Sequence, residues 1–529
     1  MAWNGAKRVS VGLGVGVVLA GQVAGAAEKE IGPGDDLIAE IAALQPGDEL
    51  VLQGGTYSLN PKLTIAVSGT AQAPIVIRAK AGEVPVITRP NANQNVINIE
   101  GSEHVVLRGL EVTGGSHGIR MNQARFITVE DCEIHETDDV ALSANFAGSS
   151  YEGLILRRNH IHHTNGTGEG MYLGCNNNGC QVWNSVIEGN WIHDTNRASV
   201  SQGDGIELKE GSYNNIIRDN VIHDTKYPCI LTYSTVGNGA PNVVERNVMW
   251  GCGDHGIQAA ADAVLRNNVI LSAAQDGIRS QVHQSGAPSN LIIAHNTIFK
   301  AQGNAVRISG ATGSVLIANN ALYAQNGAAL TVAGDLAQLV VAGNVGVGSL
   351  SGTNSGFDGT GELGADFVAG TYGGAPPVDA FPAVGSALIA AGVAAHVVGD
   401  DFNGVAREGH ADVGAYRFDE GGNPGWTITA GFKDLVGSGG SGGSGDGGSG
   451  GTGDGGGGEG GAGQGASGGG GPGGASGGEG GGEDGGCGCR VGGASEGTGG
   501  FLLAGLLGMV AARWRRRVAR RDRGGIEAG

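Results

Sequence analysis

LILRRNHIHHT at 154–164, SVIEGNWIHDT at 185–195 and NIIRDNVIHDT at 215–225 repeat one pattern. Each is a short apolar-alternating stretch, a polar or glycine residue, an Asn, and a second alternating stretch. Reading outward, the pattern returns as VVLRGLEVTGG, ITVEDCEIHET, VVERNVMWGC, VLRNNVILSA, LIIAHNTIFKA, VLIANNALYAQ and LVVAGNVGVG. Aligned, these lines place Leu110, Cys132, Asn159, Asn190, Asn220, Asn247, Asn268, Asn296, Asn320 and Asn344 in one column, at steps of 21 to 31 residues. The step is the length of one coil of stacked parallel β-strand, and its irregularity excludes a helical solenoid. Asn suits such a column because its amide both donates and accepts, so successive coils can bond one another. The expected fold is all-β, a right-handed single-stranded parallel β-helix.

A second set of short strands follows in each coil: SHGIRMN, DDVALS, GEGMYLG, GDGIELK, PCILTY, DHGIQAA, DGIRSQ and NAVRIS. Alternation turns Ile206 and Leu208 inward, and Glu207 and Lys209 outward. Registering these strands gives one outward column of His117, Asp138, Glu169, Asp204, Pro228, His255, Asp276 and Asn304. The next holds Arg120, Ala141, Tyr172, Glu207, Leu231, Gln258, Arg279 and Arg307. The last holds Asn122, Ser143, Gly174, Lys209, Tyr233, Ala260, Gln281 and Ser309.

The flanks differ in composition. Of 529 residues, 105 are Gly, about three times the usual share. Lys7 and Arg8, an apolar run from Val9 to Ala20 and the small residues Ala24 to Ala26 read as an export leader over 1–26. Residues 27–100 are expected to form an N-terminal cap and the first coils, with an amphipathic helix over Asp35 to Leu44 capped by Gly34 or Asp35. Residues 101–348 form the repeats and 349–435 a closing segment. The Gly, Ser, Asp and Glu of 436–486 bury no apolar surface and read as a disordered tether. Residues 487–529 carry Cys487 and Cys489, a hydrophobic run from Phe501 to Ala512 shorter than a stable membrane span, and a cluster of Arg. In an oxidising compartment the CNNNGC loop makes Cys175 and Cys180 a disulfide candidate, whereas Cys132 is expected to be a buried thiol. The net charge of −19, with no basic stripe outside the tail, excludes nucleic acid as a partner. The chain is expected to act as a monomer.

The column His135, His162, His193 and His223 continues as Trp250, Leu271, Phe299 and Tyr323. Apolar residues take over the same position, so stacking explains it better than metal binding or acid–base work. Thr137, Thr164, Thr195 and Thr225 form a parallel ladder. On the other face Asp138, Glu169 and Asp204 lie about one strand spacing apart and would repel, unless a hard cation such as calcium (Ca2+) sits among them or their pKa values rise. The alternative is that these carboxylates bond turn backbone. Lys209 stands nearby with Glu207, Tyr172, Tyr233 and Arg279. A cation, a base and aromatic platforms are what proton abstraction from a uronate sugar requires. Lys209 serves as that base only if its pKa falls toward neutrality, which Glu207 opposes.

Three stretches resemble known families. GDELVLQGGTY at 47–57 resembles the first coil of secreted pectate-lyase-like β-helix proteins, including the chondroitinase and alginate lyase group. GDGIELKEGSYNN at 203–215 is similar to the lyase segment in which acidic metal ligands precede a catalytic Lys. The resemblance implies Lys209 as base and Asp204 with Glu207 as metal ligands. The family's downstream Arg has no counterpart in PCILTYST, and Arg279 stands on a later coil. The candidate catalytic set is therefore Lys209, Arg279 and Tyr233. Tyr172, Arg120, His255 and Gln281 are candidate substrate contacts, and Asp204, Glu207, Glu169 and Asp138 candidate metal ligands. The tail, with Cys487 and Cys489 at the processing and anchoring site, resembles the MYXO-CTERM sorting tails of bacterial surface proteins and implies an exported protein held at the cell envelope. Two functions follow: a polysaccharide lyase or uronate epimerase acting on an acidic glycan, or a noncatalytic glycan-binding, adhesive scaffold.

Overall fold

The computed structural model describes residues 26–434; nearly all of the expected leader, and the expected tether and tail with Cys487 and Cys489, lie outside them. The described chain winds as a parallel β-solenoid with three strand faces. Thirteen strands, from Glu28–Ile31 to Leu339–Ala342, stack in parallel along the first face. The second face runs from Gly55–Ser58 through Ala321–Gly334 to Asn344–Ser351 and Phe357–Asp358, and the third from Leu63–Ile65 to Val306–Ala311, which pairs with the far half of Ala321–Gly334, again all in parallel. Inward residues of all three faces form one core; Ile161, Leu173, Ile206, Ile217, Ile230 and Ile257 are fully buried. Among the described residues no helix is long and apolar enough to cross a membrane.

The Asn column occupies the corner between the first and second faces. Each amide donates to the side-chain oxygen of the next Asn, from Asn159 through to Asn344, at 2.8–3.0 Å. The same oxygens accept a backbone N–H of the preceding coil, as Asn220 Oδ1 does from Asn190 N at 2.9 Å. The residue before each Asn turns the chain at positive φ; Arg158 (51°), Asp219 (56°), Arg246 (56°) and Asn319 (56°) are examples. No β-branched residue stands there, because the left-handed region is costly for such side chains. Cys132 opens the ladder with its N–H on Asn159 Oδ1, and burial pushes its thiol up to about 12. A shorter ladder not foreseen from the sequence, Ser185–Asn215–Asn242, holds the corner between the third and first faces.

One expectation at the N-terminal end needs correction. The N-terminal helix spans Leu37–Ala43 and its cap is Asp36, which accepts from Ala39 N at 3.1 Å. Asp35 instead accepts from Gly32 N, because the chain is still turning there. Leu37 and Ile41 bury against the end of the core. The closing segment does not merely follow the last coil; its Phe367, Phe381, Phe402, Tyr416 and Trp426 pack along the second face against Trp250, Leu271, Phe299 and Tyr323. Arg407, fully buried, pins it by donating to the carbonyls of Asp400, Asp412, Gly414, Ala415 and Tyr416 and to Asn267 Oδ1.

The structure joins Cys175 to Cys180, and also Cys229 to Cys252, a pair the sequence reading missed. The His rings stack at about 5 Å, with interplanar angles from 3° to 12°, and His223 stacks on Trp250. The column turns apolar where the closing segment covers it. The Thr hydroxyls do not bond one another; Thr164 and Thr195 donate to carbonyls of their own coils, Gly168 and Gly203, because that is the nearer acceptor.

Candidate functional site

Gly205 leads the strand Ile206–Leu208 into the third face, where a Cβ would stand 2.5 Å from the Cys229 carbonyl oxygen. The close approach fixes Asp204, Glu207 and Lys209 against their neighbours. Pairing sets Met171–Leu173 beside Ile206–Leu208, and those beside Ile230–Thr232. Tyr172 thus faces Glu207, Glu169 faces Asp204, and Tyr233 follows Lys209 in its column.

Asp138 does not join them. Leu142 pairs with both Ile119 and Met171, so the column holds Val140 and Ser143 where Asp138 and Ala141 were expected. Asp138 is exposed. The slip is two residues, which leaves every inward and outward side chain on its own side, so alternation cannot detect it. Asp139, not foreseen, reaches the group instead: the Thr167 hydroxyl lies 2.5 Å from both Asp139 Oδ1 and Glu169 Oε2, bridging the two carboxyl groups.

Glu169, Asp204 and Glu207 converge, with a carboxylate oxygen of each within 4.8 Å of the others. All three are buried, at 0, 1 and 2% exposure. Each also has an oxygen without any hydrogen-bond partner: Glu169 Oε1, Asp204 Oδ1 and Glu207 Oε2. Three such orphans in one place are costly unless a cation or protons compensate them. Burial, then the Glu207 charge, pushes Glu169 up to about 7 and raises Asp204 well above its usual range. An all-oxygen donor set of this kind fits a hard cation such as calcium.

Lys209 projects away from the core, yet it is only 4% exposed, which corrects its reading as a surface side chain. Its ammonium donates to Glu207 Oε1 at 2.6 Å and to the Tyr233 hydroxyl at 3.4 Å, and lies 4.8 and 4.7 Å from the Tyr172 and Tyr233 ring centres. Burial alone would lower its pKa, but the Glu207 and Tyr172 partners outweigh that and raise it. The Tyr233 hydroxyl donates to Glu207 Oε1 at 3.1 Å and meets His283 Nε2 at 3.1 Å. His283, fifty residues downstream of Tyr233, carries no sequence signal for this role. Glu210, also buried with an orphan Oε2, stands directly after Lys209 and was overlooked.

The remaining expected contacts stand apart. Arg279 is three coils beyond Glu207, roughly 14 Å along the axis, and is held by Asp276 at 3.3 Å and Gln281 at 2.8 Å. His255 accepts from Asp276 N, and burial lowers it to about 4. Arg120 lies over the Phe146 ring at 5.9 Å, three coils before Glu207. Four residues past Lys209, Tyr213 lies parallel to Trp183 (4° between planes), and the two line a recess with Gln181 and Asn238.

A consequence for pH follows. The folded state holds the Glu169 proton to about 7, whereas an unfolded Glu releases it near its ordinary value of 4.5. Protons therefore favour folding between those values. In calcium-free buffer the unfolding midpoint should be highest below about pH 4.5, fall as pH rises to about 7, and level off above. Glu169→Gln should flatten much of that fall; an equally steep profile in the variant would refute the assignment.

This fold and face place the chain among right-handed β-helices. Residues 20–241 match the family model of the Pel9A-like right-handed β-helix region, and residues 201–322 a general right-handed β-helix region. Pectate lyase PEL9 of Emericella nidulans is 24% identical over 294 residues, 47% of this chain; the chain spans 64% of that curated relative's length. Among solved structures, pectate lyase Pel9A is 16% identical with a TM-score of 0.49, covering 75% of this chain and 98% of its own. The complex of XylC with xylose is 10% identical with a TM-score of 0.52, covering 75% and 99%. These likenesses are likenesses of fold.

Proposed function

We propose that the protein acts on an acidic polysaccharide as a uronate lyase, by β-elimination at the third face. The observation that carries this reading is the trio of buried, partly orphaned carboxylates beside a lysine flanked by two tyrosines. Similarity to pectate lyase PEL9 supports it. Glu169, Asp204 and Glu207 would hold a calcium ion, which when bound would neutralise the uronate carboxylate and acidify the adjacent C5 proton. Lys209 Nζ takes that proton, the C4–O bond breaks, and the electron pair left on C5 forms the C4–C5 double bond. Tyr233, whose phenol keeps its proton through burial and the Glu207 charge, returns one to the departing oxygen. With Glu207 committed to a cation, the stronger of the two partners that keep Lys209 charged would be weakened, and Tyr172 would remain. Arg279, tied to Asp276 and Gln281 three coils away, takes no part in the proton transfers.

A second reading has its own observation. Lys209, Glu207 and Tyr233 also close a network among themselves, as a rigid, noncatalytic glycan-binding scaffold would keep them. Incubating the purified protein with pectate, alginate and glycosaminoglycans, with calcium or a chelator, separates the two. The lyase reading expects ultraviolet-absorbing unsaturated ends that require calcium. Binding without unsaturated ends leaves the scaffold, and C5 inversion without cleavage identifies an epimerase. For location, we propose export and retention at the cell envelope through the segment from Cys487 onward. Deleting that segment should release the protein to the medium, and unchanged retention overturns this part.

A further inference from the structure

The second face carries side chains that the lyase reading does not use. Its outward positions form two columns in the early coils: Glu111, Glu133, His160 and Trp191 in one, and Thr113, His135, His162 and His193 in the other. Later coils of this face lie under the closing segment. Over the early coils Glu133, His160 and His162 are all half-buried, reachable from solvent, with the Phe432 ring edge-on to His160 at 6.4 Å.

Ring stacking accounts for the His column but not for where the ring nitrogens point. His162 Nε2 faces Glu133 Oε1 at 3.0 Å, and His160 Nδ1 faces the same oxygen at 3.5 Å. One donor atom from each of the three residues lies within 4.8 Å of the others. Donors held about 2.0–2.1 Å from a tetrahedral ion stand roughly 3.3 Å apart, so small rotations close the set.

The far nitrogens of both rings are occupied. His160 Nε2 meets His193 Nε2 at 2.9 Å, and His193 Nδ1 bonds Asp194 Oδ2 at 2.8 Å. His162 Nδ1 meets His163 Nδ1 at 2.6 Å, and His163 Nε2 faces that Asp194 oxygen at 3.7 Å. Asp194 thus anchors the His160–His193 relay. A carboxylate accepts only, so His193 carries its proton on Nδ1 and accepts at Nε2 from His160, while His162 donates through Nε2 to Glu133 and accepts at Nδ1 from His163. These tautomers leave His160 Nδ1 as a bare lone pair facing the Glu133 carboxylate, and an ion bound there would take the place of the His162 Nε2 proton. Metal-binding imidazoles are oriented in this way, with the other ring nitrogen fixed by an outer partner.

We infer that Glu133, His160 and His162 bind a divalent transition-metal ion of the zinc, nickel or copper class, positioned by the His193–Asp194 relay behind His160 and by His163 behind His162. Imidazole donors select that class over calcium, so this site is chemically distinct from the carboxylate trio on the third face.

The test is equilibrium dialysis of chelator-stripped full-length protein against zinc, with Cys487 and Cys489 changed to Ser in every sample so that the tail thiols do not compete. About one zinc per chain is expected. His160→Ala or His162→Ala should weaken it more than tenfold, and Asp194→Asn by about 10- to 100-fold through loss of ligand orientation. Glu169→Gln should leave zinc binding unchanged. Copper(II) electron paramagnetic resonance on the unsubstituted His cluster should show coupling to two imidazole nitrogens, a readout independent of whether any His variant folds. No zinc bound tighter than about 100 µM, or affinity unchanged in the His160→Ala/His162→Ala double variant, would overturn the inference.

Discussion

Replacing Lys209 with Arg is expected to abolish formation of unsaturated uronate ends while leaving the fold in place. Arg keeps the charge that Glu207 and the two phenol rings hold, but a guanidinium does not release its proton in the physiological range. A loss of about 10²- to 10⁴-fold is the usual contribution of a positioned general base. Lys209→Ala should lose activity equally, but with a second effect. Removing the ammonium strands the buried Glu207 carboxylate, which is 2% exposed, and breaking a buried pair in this way costs about 3–5 kcal/mol. Arg and Ala should therefore agree in the product assay and separate in the unfolding midpoint. Full turnover in Lys209→Arg would remove Lys209 as the base, whatever the stability data say.

The largest effect on stability is expected at the middle of the Asn ladder. Asn220 donates to Ile187 O at 3.0 Å and Asn247 Oδ1 at 2.9 Å, and accepts from Asn190 N and Asn190 Nδ2, both at 2.9 Å. Asn220→Ala deprives four buried groups of adjacent coils of this partner. At about 1–3 kcal/mol for each unsatisfied group, a loss near 4 kcal/mol follows, read as a lower denaturant midpoint. Asn220→Asp is nearly isosteric and should be worse near pH 7. Its carboxylate keeps the acceptor but turns a second oxygen toward Ile187 O and Asn247 Oδ1, two acceptors. Lowering the pH should return part of that stability by protonating the new acid. A pH-independent Asp variant as stable as the parent would show that the ladder adds nothing beyond the strand pairing.

Much of the fold is legible because its determinants are local and repeated. Every coil carries its own inward apolar alternation, one corner Asn and a turn residue tolerant of positive φ, so aligning ten short stretches specifies the parallel stack, the ladder and the stacked His column. The same alignment brings Glu169, Asp204, Glu207, Lys209, Tyr172 and Tyr233 onto one face, since each belongs to the coil next to its neighbour. The failures have a common cause. Asp138 was misplaced because a two-residue shift preserves alternation, and only backbone pairing across coils fixes which of DDV stands beside Glu169. Lys209 was taken as exposed because alternation says which way a side chain leaves the strand, not what covers it. Its burial comes from Tyr172 and Tyr233 on adjacent coils, closed over by His283 from a loop fifty residues past Tyr233.

By itself, then, the sequence determined the repeat, the inward and outward sides and the residue types available to each face, because these follow from chain periodicity and side-chain chemistry. Tertiary structure alone decided the register, the burial of Lys209, the Cys229–Cys252 link, the closing segment laid along the second face and the relay from His160 through His193 to Asp194. Each of these depends on loops of unequal length bringing distant residues together, and loop length carries no periodic signal from which such a meeting could be read.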